Sequence, residues 1–307
     1  MDDSSAQRPG TRWQQVVARL DAYERLLRLD KPIGTLLLLW PTLTALWLAS
    51  GGRPTWTWII VMVVGTLLMR SAGCAMNDWA DRAFDGHVTR TAQRPLVTGE
   101  VAPNEALALA ATLAVLAFIL VWLGTNPAAM LWSVPALLVA IAYPFFKRFF
   151  ALPQAFLGIA FSFGIPLAYA TAQGSVPAVA WLLLVVNLFW VIAYDTEYAM
   201  VDREDDRRIG IRTSALTFGR FDVNAVALCY VAHLAGMAWI GVMLNRGAFY
   251  HAGIVVAAGF AAYHIVLIRN REPAQCFRAF LNNHWLGFSI FVGVVLDFVS
   301  RSAWPRV

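Results

Sequence analysis

Two clusters of acids carry most of the chemistry this sequence could perform. The first runs Asn77-Asp78-Trp79-Ala80-Asp81-Arg82-Ala83-Phe84-Asp85. On a helix, Asn77, Asp81 and Asp85 are spaced i, i+4, i+8 and share one face. The second runs Tyr194-Asp195-Thr196-Glu197-Tyr198 and then Asp202-Arg203-Glu204-Asp205-Asp206, where Asp195, Asp202 and Asp206 are spaced i, i+7, i+11 and again share a face. Carboxylates stacked this way repel, so something cationic must join them. Oxygen-only ligands suit a hard divalent ion such as Mg²⁺ or Ca²⁺. Mg²⁺ binds through one or two carboxylates plus phosphate oxygens, which fits two clusters gripping a diphosphate between them. The plainer reading is a pair of solvated acidic loops, or a structural ion-pair network, balanced by neighbouring arginines. Two matched clusters weigh against it.

Basic residues able to hold a diphosphate stand in the same loops: Arg90 and Arg94 in RTAQRPL, and Lys147 and Arg148 after Tyr143-Pro144-Phe145-Phe146. Arginine offers phosphate a planar fork and lysine a point charge. Two polar residues lie deeper. Arg70 precedes Asn77 by seven residues, on the same helical face and about 10 Å further in at 1.5 Å per residue. Asn187 precedes Tyr194 by seven and could line the same cavity, or make an interhelical hydrogen bond.

The elements that position these residues follow from composition. Of 307 residues, 59% are hydrophobic and only 14% charged, and the mean hydropathy is +0.59. A soluble domain carries roughly 25% charged residues. The apolar residues fall in blocks near the ~20 residues that cross a bilayer. They predict nine spans, 34–50, 56–76, 103–124, 128–146, 151–171, 176–194, 223–243, 248–268 and 284–300, in one all-α membrane domain over residues 1–307. Four spans separate the acid clusters, so both open on the same side. Between Trp13 and Leu27 the apolar set Trp13, Val16, Val17, Leu20, Tyr23 and Leu27 recurs at helical spacing with flanking arginines, so residues 1–32 read as an interfacial segment on the cytoplasmic surface. Neither a signal peptide nor a transit peptide is evident there. The cysteines Cys74, Cys229 and Cys276 are scattered without ligand spacing and read as packing residues. The net charge of +5 is placed by topology in the loops of one face and calls for no nucleic-acid partner.

The strings RLDKPIG at 28–34, RSAGCAMND at 70–78, RTAQRPL at 90–96, FLGIAFSFGIPLAYA at 156–170 and YDTEYAMVDREDDRRIGIRTSA at 194–215 complete a pattern around the acids. With Asn77-Asp78-x-x-Asp81-x-x-x-Asp85 and Asp202-x-x-x-Asp206, the chain resembles the UbiA membrane prenyltransferases over about residues 25–290. Within that family it is most similar to the branch that prenylates 4-hydroxybenzoate for ubiquinone. The resemblance implies nine helices around a central cavity capped by the two motif loops, in a bacterial inner membrane. It also implies Mg²⁺-assisted loss of diphosphate from a polyprenyl diphosphate. Asn77, Asp81, Asp85, Asp202 and Asp206 are then the expected metal ligands, and Asp81, Asp195 and Asp202 the expected catalytic acids. Asp195 would accept a proton or polarise the acceptor hydroxyl. Arg70, Arg90, Arg94, Lys147, Arg148, Tyr194, Tyr198 and Asn187 are the expected substrate contacts, the tyrosines shielding an allylic cation from water. A relative with another aromatic acceptor is the near alternative. A divalent-cation transporter is the remote one, since it would need acids reachable from both sides.

Orientation follows from the short loops. Assigning the N-terminus and alternate loops to one side gives it 19 lysines and arginines against 4 on the other, so that side is cytoplasmic. A reporter active only outside the cytoplasm should give signal when fused after Val307 and none after Arg148. The opposite pattern would invert the topology.

Overall fold

In the computed structural model, which describes residues 11–83, 85–87, 90–146, 150 and 152–303, apolar runs become helices and the described residues hold no strand. The first helix, α1 (Arg12–Leu27), starts at a capping box in which Thr11 accepts from the Gln14 amide and Gln14 returns the bond. It is followed by α2 (Ile33–Ala49), α3 (Trp56–Asp81), α4 (Pro103–Gly124), α5 (Pro127–Phe146), α6 (Pro153–Ser162), α7 (Gly164–Gln173) and α8 (Ala178–Val201). Two short helices, α9 (Arg203–Ile209) and α10 (Ser214–Phe218), precede α11 (Asp222–Met243), α12 (Ala248–Ile268) and α13 (Pro273–Ala303). Eight segments are long and apolar enough to cross a bilayer. The ninth expected span is α2, whose 17 residues reach about 26 Å at 1.5 Å per residue, the short end of what a bilayer core needs.

Four spans differ from the sequence expectation, the ninth because α13 begins at Pro273 rather than at 284. The second and sixth spans run on past 76 and 194, to Asp81 and Val201, so part of each acid cluster is helical. The fifth breaks at Phe163 into α6 and α7, because Pro166 has no amide to return to the Ser162 carbonyl. The helices pack as a ring in which α13 lies against both α2 and α8 and so closes it. Outward residues such as Leu123, Leu131, Leu228 and Val255 are 69–77% exposed, an apolar belt that suits lipid rather than water. Between α12 and α13 the backbones nearly touch: a Cβ on Gly253 would stand 2.6 Å from the Ser289 carbonyl oxygen and 2.9 Å from the Gly293 Cα, so only glycine permits this crossing.

The α1 helix sits beside the bundle. Ala22 and Leu26 pack on Ala72 and Ala75 of α3 and on Leu96 and Val101 of the loop beyond it. Arg19 pairs with Glu105, and Arg25 with Glu100, whose carboxyl is held below its usual range chiefly by that hydrogen bond. Trp13, Val16, Val17 and Leu20 of the expected interfacial stripe point away from the protein, whereas Tyr23 and Leu27 turn toward it. At the end of the bundle that carries the acid clusters, Asp222 is fully buried between Arg203 and Arg271, each 2.7 Å away. This triad ties the segment after α8 to the turn between α12 and α13.

Candidate functional site

The C-terminal ends of α3, α5 and α8, the start of α6, and the segments after α3 and α8 enclose one cavity of about 280 Å³. Its wall gathers Asn77 with the aspartates Asp78, Asp81, Asp85, Asp195, Asp202 and Asp206, and it also holds Arg28, Arg70, Arg90, Arg94 and Arg212. Both clusters therefore open into one space, as the even number of intervening spans requires.

The clusters do not keep one helical face each. α3 ends at Asp81, and Asp85 sits in a separate 3₁₀ turn, Asp85–His87. Likewise Asp202 is the break after α8, at φ −96° and ψ 9°, and Asp206 belongs to α9. What returns these acids to the cavity is pairing with arginine. Arg94 Nη1 lies 2.6 Å from Asp85 and 2.9 Å from Asp78. Arg90 sets its Nε and Nη2 on the Asp202 carboxylate at 2.9 and 2.5 Å, and its guanidinium lies 4.6 Å over the Tyr198 ring. Arg90 and Asp202 come from the two different motif segments, so this pair bridges the cluster loops. Asp85 still has its carboxyl pushed up by burial, against the pull of Arg94 and with the push of Asp81 and Asp78. An added cation would relieve it.

Among the described residues, no three His, Cys, Asp or Glu side chains stand close enough to cage a metal ion by themselves. The donor set is nonetheless carboxylate and amide oxygen throughout. Mg²⁺ takes one or two such ligands and fills its octahedron from water and phosphate, so the residues present fit it in that manner.

At the inner end Arg70 is in a different condition. Its Nη1 donates to the Cys74 sulfur at 2.5 Å, its guanidinium lies 5.9 Å from the Phe161 ring, and its buried Nε has no partner. No carboxylate among the described residues pairs with it. Gly34 makes room for it, since a Cβ there would stand 2.6 Å from Arg70 Nη2 and 2.8 Å from Nε.

Several expected residues fall elsewhere. Tyr194 is buried against Trp190 and Phe280 and does not line the cavity, because its position on α8 faces the helix core; Tyr198, one turn on, does line it. Asn187 donates to Ser162 Oγ at 2.8 Å and borders a separate small cavity, so it serves as an interhelical hydrogen bond. Lys147 and Arg148 lie outside the described residues. Conversely, sequence reasoning passed over Arg28 and Asp78. Arg28 closes α1 in the left-handed region at φ 56°, unusual for a side chain of its size, and its Nη2 reaches both Asp78 oxygens at 2.9 and 3.1 Å. Its place in RLDKPIG was the available signal, but a loop arginine reads first as a topology charge. Tyr143, Gln154, Leu157 and Phe161 also line the wall and were not singled out as contacts, although Leu157 and Phe161 stand in the FLGIAFSFGIPLAYA string.

The family model described as the UbiA prenyltransferase family matches residues 38–287. A relative described as 4-hydroxybenzoate octaprenyltransferase from Azoarcus sp. (strain BH72) is 59% identical over 281 residues, covering 92% of this chain and 98% of its own. A protein of the same description from Cupriavidus necator is 59% identical over 286 residues, covering 93% and 100%. Among solved structures, the apo UbiA homologue from Aeropyrum pernix K1 superposes with a TM-score of 0.75 at 26% identity, over 86% of this chain and 97% of that one. The UbiA homologue from Archaeoglobus fulgidus bound to GPP and Mg²⁺ gives 0.71 at 16% identity, over 91% and 99%, and speaks for the fold.

The Arg28–Asp78 pair is well enough buried to be measured. Removing hydrogen bonds to a charged group costs about 1.5–3 kcal/mol, so Arg28→Ala should lower unfolding stability in detergent by that amount. Arg28→Lys should recover only part of the loss, because a single ammonium cannot hold Asp78 and also keep the bond that Arg28 Nη1 donates to the Arg25 carbonyl. An alanine variant as stable as the parent would show that the clamp contributes nothing.

Proposed function

The chain belongs to the UbiA prenyltransferase family, and from that premise we propose that it transfers a polyprenyl group from polyprenyl diphosphate to the ring carbon ortho to the hydroxyl of 4-hydroxybenzoate. Diphosphate is released, and the product serves ubiquinone biosynthesis. The observation that carries the reading is the polarity of the cavity: Arg90 and Arg94 pair with acids near its mouth, while Arg70, about 10 Å further along α3, pairs with no carboxylate among the described residues. A diphosphate suits the first environment and an aromatic carboxylate the second. The relatives described as 4-hydroxybenzoate octaprenyltransferases support the same acceptor. The multi-pass fold, with the excess of basic loops at the cavity mouth, suits a bacterial inner membrane and a cytoplasm-facing site.

Asn77, Asp81, Asp85, Asp202 and Asp206 would hold Mg²⁺ with the diphosphate, and the ion supplies a Lewis acid for the departing charge. Arg90 already donates through Nε and Nη2 to Asp202, and Arg94 through Nη1 to Asp85, and the same guanidinium groups can donate to phosphate oxygens. Lys147 and Arg148 are proposed for the same task from the sequence. Tyr198, Leu157 and Phe161 line the cavity and would exclude water from the reacting carbon. Asp195 is the acid to take the proton lost from the ring or to polarise the hydroxyl. A cation transporter would need acids at both ends of a path, and here both motif clusters open at one end.

Purified protein given 4-hydroxybenzoate and polyprenyl diphosphates of several lengths should yield prenylated acceptor by mass. Asp81→Ala and Asp202→Ala should each lose at least ~10²-fold in turnover while inserting normally, because each removes charge stabilisation from the transition state. Full activity in EDTA would remove the metal from the scheme.

Arg70 allows a sharper test of the acceptor. Losing a charge-assisted pair costs about 2–3 kcal/mol, on the order of 10²-fold. Arg70→Leu should raise the KM for 4-hydroxybenzoate by that factor and leave the KM for the prenyl diphosphate nearly unchanged. An equal effect on both substrates, or none on either, would return Arg70 to a structural role.

A further inference from the structure

Outside the cavity, four helices meet at a buried polar junction. Glu197 of α8 is wholly inaccessible, as is His264 of α12, and Tyr230 of α11 and Asn283 of α13 complete the group. Asn283 Nδ2 donates to Glu197 Oε2 at 2.8 Å and to the Ala279 carbonyl at 3.0 Å. Its Oδ1 accepts from Trp190 Nε1 at 2.9 Å. Those contacts fix which way the amide points, because the reverse orientation would set two donors and two acceptors against each other. The Tyr230 hydroxyl stands 2.8 Å from Glu197 Oε1, 2.9 Å from Asn283 Oδ1 and 3.0 Å from His264 Nδ1.

A proton count over this junction has one complete solution. A tyrosine hydroxyl has one hydrogen to give. If Glu197 were ionised, Tyr230 would have to give that hydrogen to Oε1, and the 2.9 Å contact with Asn283 Oδ1 would join two bare oxygens. A histidine cation does not rescue this arrangement: His264 Nε2 is buried with no hydrogen-bond partner, so a proton there would be stranded. Among the described residues, no lysine or arginine bonds to any of the four. With a proton on Glu197 Oε1 every contact is satisfied. Glu197 then donates to Tyr230, Tyr230 donates to Asn283, His264 donates through Nδ1, and Oε2 accepts from Asn283.

We propose that Glu197 is held as an uncharged carboxylic acid whose proton closes this four-helix junction, and that it is a positioning residue for the second acid cluster. Glu197 lies between Asp195 and Tyr198 on the last turns of α8, and Asn283 holds α13 in register with them. That register sets Phe280 of α13 4.5 Å from the Tyr198 ring, on which Arg90 rests before reaching Asp202. The junction thus acts on the diphosphate end of the cavity without touching it.

The protein in lipid nanodiscs supplies the test. The infrared spectrum of the parent minus that of Glu197→Gln should show the carbonyl band of one protonated carboxyl, and Glu197→Gln, whose amide can donate to Tyr230 and accept from Asn283, should keep kcat and both KM values within about twofold. Glu197→Leu should raise the KM for polyprenyl diphosphate at least ~tenfold and that for 4-hydroxybenzoate by less. The kinetic half rests on the proposed transfer reaction and the infrared half does not, so the two can fail separately. Absence of the difference band overturns the neutral acid whatever the kinetics. A glutamine variant as impaired as the leucine one, or equal effects on both substrates, overturns the positioning role. If the leucine variant does not insert, the band and the glutamine kinetics decide alone.

Discussion

Negative charge crowded at one end of a membrane bundle is the constraint that shapes this protein. Six aspartates share a cavity of about 280 Å³ at the boundary where the helices leave the lipid. Ionised groups there are tolerable only when compensated. Each compensation also fixes a piece of chain: Arg94 folds the loop after α3 back onto Asp78 and Asp85, Arg90 joins that loop to Asp202, and Arg28 draws the end of α1 against Asp78. The cap over the cavity is therefore built out of charge neutralisation. An arginine fork that fits a carboxylate also fits a phosphate, so the contacts that assemble the cap are of the kind a diphosphate would take over.

Depth decides how a buried acid is balanced. Near the boundary, Asp222 is met by two guanidinium groups that water can partly reach. Further along the helices, Glu197 has no cation within bonding distance among the described residues, and a proton is the least costly counter-charge left to it. The two devices serve the same end. One fixes the segments around the cavity mouth, the other fixes the register of α8 against α11, α12 and α13, and together they hold Tyr198 and Asp202 in place while the outer faces of the helices meet fluid lipid.

Much of this was legible in the sequence, for physical reasons. Apolar runs of near-bilayer length show themselves by composition alone, and all nine expected spans are found, with α2 the short one and the fifth broken by Pro166. The acids and the arginines Arg70, Arg90 and Arg94 were found because charges beside or inside an apolar block are conspicuous. Their arrangement was less legible. Periodicity carries Asn77 and Asp81 correctly along α3 but fails at Asp85, where the helix has ended, and at Asp202, where it breaks. Tyr194 was placed on the cavity because a helix apolar around most of its circumference gives no amphipathic signal to tell its cavity face from its packing face, whereas Asn187 makes the interhelical hydrogen bond that its position also allowed. Arg28 was passed over because its partner is 50 residues away, and only the fold brings Asp78 to it.

The inner end of the cavity follows the opposite logic from its mouth. Arg70 is backed by Gly34, touched by a thiol and the face of Phe161, and left without an acid, although six aspartates line the same cavity. A fold that needed Arg70 only for packing could have supplied a carboxylate, or a smaller residue with a Cβ at position 34. Leaving the guanidinium unpaired at the inner end makes the cavity directional. An acceptor with a carboxylate at one end and a phenol at the other is drawn in carboxylate first, which turns its electron-rich ring edge toward the mouth, where the acids and arginines would hold the diphosphate. On the proposed reading, regiochemistry is then set by where the two charged anchors lie, about 10 Å apart along α3, more than by a close fit around the ring.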